Sequence, residues 1–254
     1  MNLTRAALFA LLPLAALVTQ PVAAQDRERR EPRDRPIPGR QRADPGKVAA
    51  ADFAFARTAR EKGQWSAFRE YSAGGAQMHD ADGPVDVSTF IARRADPAET
   101  MRWTPNEIWS SCDGSLAVSY GRWVQPDGVV GSYVTVWKRE RNGDYRWVYN
   151  TSTPDNPQPV VPVEVRPDGD TIVVREITAI RALTADCRAP VAEAGVVPVA
   201  AGAGVQTGGG EARDATLRWR WEQLAQGQWR VVVDWVRAGA WTEALSFDVP
   251  ERQG

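Results

Sequence analysis

GSLAVSYGRWVQPDGVVGSYVTVWKRERNGDYRWVYN, residues 114–150, is the stretch from which the fold is read. Ser115 to Val124 alternates, with Leu116, Val118 and Tyr120 opposing Ala117 and Ser119. Val129 to Arg139 alternates as well: Tyr133, Thr135 and Trp137 share one face, Val134, Val136 and Lys138 the other. Asn142-Gly143 separates this run from Tyr145–Asn150 and is the strongest short-range hairpin signal in the chain. Consecutive hairpins of this kind build an antiparallel sheet.

Upstream of the hairpins, Arg102 to Cys112 reads as a strand broken by Pro105, which suggests an edge or a bend. Lys47 to Lys62 is expected to be a helix with Val48, Ala51, Phe55 and Ala59 on one face, stopped by Gly63. Trp65 to Tyr71 gives a second helix, with Trp65, Phe68 and Tyr71 sharing a face. Ala76 to His79 reads as a short strand, Asp80 to Pro84 as a turn, and Val87 to Arg94 as a third helical segment capped by Ser88. The expected fold class is α+β: helices packed on a strongly curved antiparallel sheet around a cone-shaped pocket, over residues 47–155.

Residues 156–254 are expected to be a Pro/Gly-rich connection followed by an antiparallel β extension. Thr171 to Leu183 reads as a strand. Ala189 to Arg213 reads as a flexible loop; its Gly208-Gly209-Gly210 has neither the Lys/Ser nor the strand-to-helix context of a phosphate cradle. Thr216 to Val249 is a three-stranded meander with one aromatic face. That face carries Leu217, Trp219 and Trp221, then Val231, Val233 and Trp235, then Trp241, Leu245 and Phe247. A face that apolar must be covered, by the first domain or by a partner chain.

Residues 1–24 have the form of a signal peptide: Arg5, an apolar run from Ala6 to Val18, and small residues at Val22, Ala23 and Ala24. The apolar run is short for a membrane span, and no stable span is expected after processing. Residues 25–46 read as a disordered linker, rich in charge and proline. The expected location is therefore periplasmic or secreted, in a bacterium. There the only cysteines, Cys112 and Cys187, read either as a disulfide or as two buried thiols, and the oxidising compartment favours the bridge.

The formal net charge of −1 leaves no basic surplus for nucleic acid. Lys47, Lys62 and Lys138 are the only lysines, so nearly every basic residue is Arg. The planar Arg fork suits anion recognition, although a GC-rich genome produces the same excess.

Several matched elements lead to a family. They are an N-terminal helix of the Phe53-Ala-Phe-Ala type, Glu61-Lys-Gly63-x-Trp-x-Ala-Phe68, Trp103-x-Pro105, Gly114 to Trp123, Gly131 to Lys138, and the closing strand at Trp147. Residues 50–153 resemble the SnoaL-like, ketosteroid-isomerase-like branch of the nuclear transport factor two superfamily, in particular a group of secreted bacterial domains. The resemblance implies a cone enclosing a pocket that relatives use for isomerases, dehydratases, cyclases, small-ligand binding or protein contacts. The group often carries an acidic residue after the last strand, where this chain has Asn150.

Such pockets move protons with a buried Asp, His or Tyr. His79 and Asp80 are the candidates for a pocket acid/base, with Asp82, Glu107, Tyr120 and Tyr133 behind them. As the lone histidine, at a strand end beside a turn, His79 is expected first of all at the surface. Tyr71, Trp103, Tyr120, Tyr133 and Trp137, with Asn150, are the expected ligand-lining residues. No nucleophile-elbow motif, metal-ligand cluster or cofactor motif is found, and Asp80-Ala-Asp82-Gly83 lacks the spacing and closing Glu of a calcium loop. The expected function is an exported, non-catalytic module that binds a small apolar ligand or assembles, for example as a homodimer. The alternatives are an isomerase, dehydratase or hydrolase, or an envelope protein that docks a partner through its C-terminal meander. Cleavage after Ala24 is predicted to leave Gln25 as the first residue; intact mass of the exported protein checks this, and an uncleaved chain contradicts it.

Overall fold

Strands whose two faces are both apolar cannot lie against water on either side. The central strands of this chain are of that kind, and the architecture follows from covering them twice. The computed structural model describes residues 42–80, 83–92, 94–159, 179–187 and 206–251, without the Asp80 side chain. The signal segment, most of the linker, and much of the 156–213 connection lie outside the described residues.

Helix α1 (Pro45–Lys62) begins two residues before the expected start, with Pro45 at a first-turn position where its missing N–H costs nothing. Gly63 ends it, and α2 (Gln64–Tyr71) starts at once. The Asp96 side chain caps α2 from a distant loop, accepting from Ser66 N at 3.2 Å and Ser66 Oγ at 2.7 Å. Then come β1 (Ser72–Asp80), β2 (Gly83–Asp86) and the short α3 (Val87–Ile91). The cap of α3 is Asp86 rather than Ser88: its carboxylate accepts from the Ser88 N–H at 2.8 Å and from that of Thr89 at 3.3 Å.

The hairpins form as read, through β3 (Arg102–Ser110), β4 (Leu116–Val124), β5 (Val130–Arg139) and β6 (Tyr145–Pro154). With β7 (Arg181–Thr184) they make a seven-stranded sheet of order β2-β1-β6-β5-β4-β3-β7. The sheet is mixed, not wholly antiparallel as expected, because β1 runs parallel to β6 and β7 runs parallel to β3. Both parallel pairings join segments distant in sequence, where no hairpin dictates direction.

Each face of this sheet has its own core. On the helix face, Trp103, Ile108, Ala117, Trp123, Tyr133, Trp137 and Trp147 pack with Val48, Phe55, Ala59 and Phe68. On the opposite face, Trp109, Leu116, Val118, Val134, Val136 and Tyr149 meet a second sheet. Two extra residues re-aim side chains between the faces. Asn106 is unpaired in β3, so Trp103 and Ile108 share the helix face despite odd spacing; Val148 is unpaired in β6, so Trp147 and Tyr149 face opposite ways.

The second sheet holds β8 (Thr207–Glu211), β9 (Leu217–Ala225), β10 (Gln228–Arg237) and β11 (Ala240–Val249), all antiparallel, in the order β11-β10-β9-β8. The meander expected from the sequence is thus present with one more strand, and its aromatic face is covered by the first sheet. The triple glycine is not a loop but β8. Gly208 pairs with Trp221 and Gly210 with Trp219, and the two indoles lie over the glycines, where a Cβ would collide. Trp241 leaves the aromatic face because Ala244 is unpaired in β11. It lies instead under the Arg218 guanidinium, 4.3 Å from ring centroid to Cζ.

Cys112 N–H donates to Thr216 Oγ1 at 2.9 Å, just before β9, and joins the two sheets at one end. The disulfide of Cys112 with Cys187 ties together the chain beyond β3 and beyond β7, neighbours in the first sheet. No helix among the described residues is long and apolar enough to cross a membrane. The bridge spans a sequence separation of 75; on chain entropy it contributes about 4 kcal/mol. Replacing both cysteines by serine is predicted to remove that amount, read as a lower urea midpoint at unchanged slope.

Candidate functional site

The buried face of α1 carries Val48, Asp52, Phe55 and Ala59, so one turn of an otherwise apolar stripe presents a carboxylate to the sheet. None of Asp52 is exposed. Three strands supply its donors. Trp103 Nε1 donates to Oδ1 at 3.0 Å, and Ser119 Oγ and Tyr133 OH donate to Oδ2 at 2.7 and 3.1 Å. Ser119 Oγ in turn accepts from Trp137 Nε1 at 2.9 Å. Burial pushes the Asp52 carboxyl up to about 6, against the opposing pull of these donors, and burial together with the Asp52 charge pushes the Tyr133 phenol well up. At neutral pH the group is thus mainly an ionised carboxylate solvated by protein.

Beside this network lies a cavity of ≈ 20 Å³, between Phe55, Phe68, Trp103, Tyr133, Thr135 and Asn150. That is room for about one water molecule. Phe68, Met101, Trp123, Asn150 and Ser152 also line a second cavity, of ≈ 320 Å³, that lies further out. Its outer wall is made by Trp65 of α2, by Phe90 of α3 and Arg94 just beyond it, and by Met78 and His79 of β1. Trp123 can floor it because Gly131 leaves its indole space to lie across β5, with Nε1 donating to Ser132 O at 3.0 Å.

His79 is not at the surface. It is 6 % exposed, stacked on Trp229 at 4.5 Å and 17°, and edge-on to Trp221 at 4.9 Å. The second sheet buries it: both indoles come from β9 and β10. Its Nδ1 lies 2.6 Å from the Tyr149 hydroxyl, while its Nε2 is buried with no hydrogen-bond partner among the described residues. Burial pushes its pKa down to about 4, so the ring is neutral at neutral pH, and burial pushes the Tyr149 phenol up.

The expected site residues separate into three groups. Trp103, Tyr133 and Asn150 meet at the inner cavity, with Asn150 Nδ2 donating to Thr135 Oγ1 at 2.7 Å; His79 and Asn150 share the outer one. Trp137 is fully buried next to Ser119 and lines neither. Tyr71 and Tyr120 point elsewhere. Tyr71 stacks on Phe55 at 5.4 Å and borders a ≈ 550 Å³ surface cleft with Asn142 and Arg146. Tyr120 has an even position in β4 and lies on the second-sheet side, in a groove with Arg181 and Leu245. The Asp80 half of the His79–Asp80 pair lies outside the described side chains. No group of three or more His, Cys, Asp or Glu able to hold a metal is found among the described residues.

Asp52 and Arg94 are the residues that sequence reading missed. Asp52 stands four residues after Val48 and three before Phe55, and that break in an apolar stripe was its signal. Arg94, beyond the end of a short helix, had none.

No family model matches the chain, and no curated protein matches it. Solved structures are similar over part of it. A candidate ketosteroid isomerase from Shewanella frigidimarina is 18% identical over 42% of this chain and 98% of its own, with a TM-score of 0.34. A nuclear transport factor 2-like superfamily protein from Salmonella enterica is 12% identical over 50% and 96%, with a TM-score of 0.35. ActVI-ORFA from Streptomyces coelicolor is 13% identical over 44% and 96%, with a TM-score of 0.34. Likeness at this level carries no ligand and no reaction across to this chain.

The two perturbed groups act on stability in opposite directions. The raised Asp52 pKa adds stability that is full below about 4 and is lost as pH rises through about 6; the lowered His79 pKa removes stability as pH falls from 6.5 towards 4. Between pH 7 and 4.5 each amounts to about 2 kcal/mol. Asp52→Asn is therefore predicted to lose about 2 kcal/mol relative to wild type on acidification to pH 4.5, and His79→Phe to gain as much, measured by urea unfolding at the two pH values.

Proposed function

We propose that this chain is a ligand-binding module whose outer cavity takes a small, largely apolar molecule without transforming it. The observation that carries this reading is the separation of space from chemistry. The ≈ 320 Å³ cavity is walled by Trp65, Phe68, Phe90, Met101 and Trp123, a size and lining that suit a ring-sized molecule. The buried carboxylate of Asp52 does not line it, and has no exposed surface and three donors on its oxygens. A general base must come within hydrogen-bond reach of the proton it takes. The ≈ 20 Å³ beside the network admits no substrate to that position. His79 does reach the outer cavity, but its pKa of about 4 makes it a weak base at neutral pH, and its ring partner is a tyrosine hydroxyl rather than a carboxylate.

The unpaired residues Asn106 and Val148 bend their strands and increase local twist. They support a sheet curled around α1, the cone expected from the sequence. The Cys112–Cys187 bridge supports an oxidising compartment, periplasmic or extracellular. The C-terminal sheet spends its aromatic face on the first sheet, which leaves that face unavailable to a partner.

The neutral probe 3-phenylpropanamide is predicted to bind with a Kd on the order of 1 mM, about −0.4 kcal/mol per non-hydrogen atom, followed by saturation-transfer NMR. Ser152→Phe, at a position that lines both cavities, should weaken it at least tenfold. Absence of any transfer to wild type at 5 mM probe would falsify the binding reading.

A further inference from the structure

Two nitrogen-bearing side chains line the outer cavity, and the described residues use little of their hydrogen-bonding capacity. The first is Arg94. Its guanidinium lies over the Phe90 ring, with Cζ 3.8 Å from the centroid, and 5.9 Å from that of Trp65. Nη1 makes one long contact, 3.5 Å, to Phe90 O, and no carboxylate among the described residues pairs with it. Stacking uses the face of the guanidinium and leaves its N–H edge free to meet a planar anion in two parallel hydrogen bonds.

The second is His79. Its Nδ1 lies 2.6 Å from the Tyr149 hydroxyl, and either atom can be the donor, so a hydrogen on Nε2 follows only for the tautomer in which the hydroxyl donates. Nε2 is the atom left buried and unpartnered among the described residues, in a side chain that is 94 % removed from solvent and lines the cavity. The ring cannot turn away, because Trp229 stacks on it and Trp221 abuts its edge.

We infer that the ligand is a small carboxylate with an apolar ring or short chain, held with its anionic end on the Arg94 guanidinium and its body against Phe68, Met101 and Trp123. This rests on the ligand-binding reading above and adds the chemical class. The carboxylate would accept from the charged edge of Arg94, and the aromatic walls would hold the remainder out of water. Among the described residues, no glutamate or aspartate side chain lines the cavity.

The test compares 3-phenylpropionate with 3-phenylpropanamide, two probes of the same shape that differ in charge. Wild type is expected to bind the carboxylate about tenfold more tightly, with a Kd on the order of 100 µM. Arg94→Gln should abolish that preference, bringing the two probes to equal affinity; Arg94 is exposed, so the fold tolerates the change. Arg57→Gln removes an equally exposed arginine from α1, away from the cavity, and should leave the preference intact. Equal binding of the two probes by wild type, or a preference that survives in Arg94→Gln, overturns the inference and leaves the ligand-binding reading standing. If neither probe binds, both readings fall.

Discussion

Everything in this structure depends on β4, β5 and β6 having no face for water. In β5, Tyr133 and Trp137 project to one side and Val134 and Val136 to the other, and all four are buried. An antiparallel sheet usually keeps one solvated face; this one cannot. The helices cover one side, and the C-terminal sheet must cover the other. That makes the last third of the chain part of the core rather than an appendage. The two sheets are joined at one end by the Cys112–Thr216 hydrogen bond, while the Cys112–Cys187 bridge ties the ends of β3 and β7 within the first sheet. Chain entropy favours a bridge that holds distant segments together.

Within the helix-side core, Asp52 does the work that an apolar residue would do elsewhere, at greater cost. A buried carboxylate must be desolvated, and its three donors offset that loss only because they arrive from β3, β4 and β5 in register. Breaking any one leaves charge or donor unpaired. The network therefore specifies how α1 sits on the sheet. It shares the helix-side core with Phe55, Trp103, Trp137 and Trp147, and the ≈ 320 Å³ cavity lies near the ends of α2 and α3 and of β1, β4 and β6.

Much of this was legible in the sequence. Alternation placed Leu116, Val118, Ala117, Ser119, Tyr133 and Val134 on their proper sides, and Asn142-Gly143 located the β5–β6 hairpin. What escaped had physical reasons. Parallel pairing of β1 with β6 and of β7 with β3 is a long-range choice with no local signature. A single unpaired residue reverses the parity of all that follow, so Ala244 sent Trp241 to the wrong face in a simple period-two reading. Gly208–Gly210 looked like a loop because glycine has low strand propensity; the Trp219 and Trp221 indoles fill the space that its missing side chains leave. A hydrophobic-stripe reading of α1 chose Ala51 and passed over Asp52, since such a reading discards the charged residue that matters most. His79 looked exposed because nothing in residues 76–84 shows that Trp221 and Trp229 will close over it.

That last point joins the two layers to the site. His79 belongs to the first sheet, yet its burial, its fixed orientation and its lowered pKa all come from indoles of the second. Trp229 also donates to Thr151 at 3.1 Å, next to Asn150 and Ser152 on the cavity wall. The C-terminal sheet thus shapes one side of the outer cavity while α2, α3 and Arg94 shape the other. A chain that ended after β6 would retain the helix-side core and lose the wall that holds His79. The outer cavity is consequently shaped by the two sheets together, and the residues that line and support it lie more than a hundred positions apart.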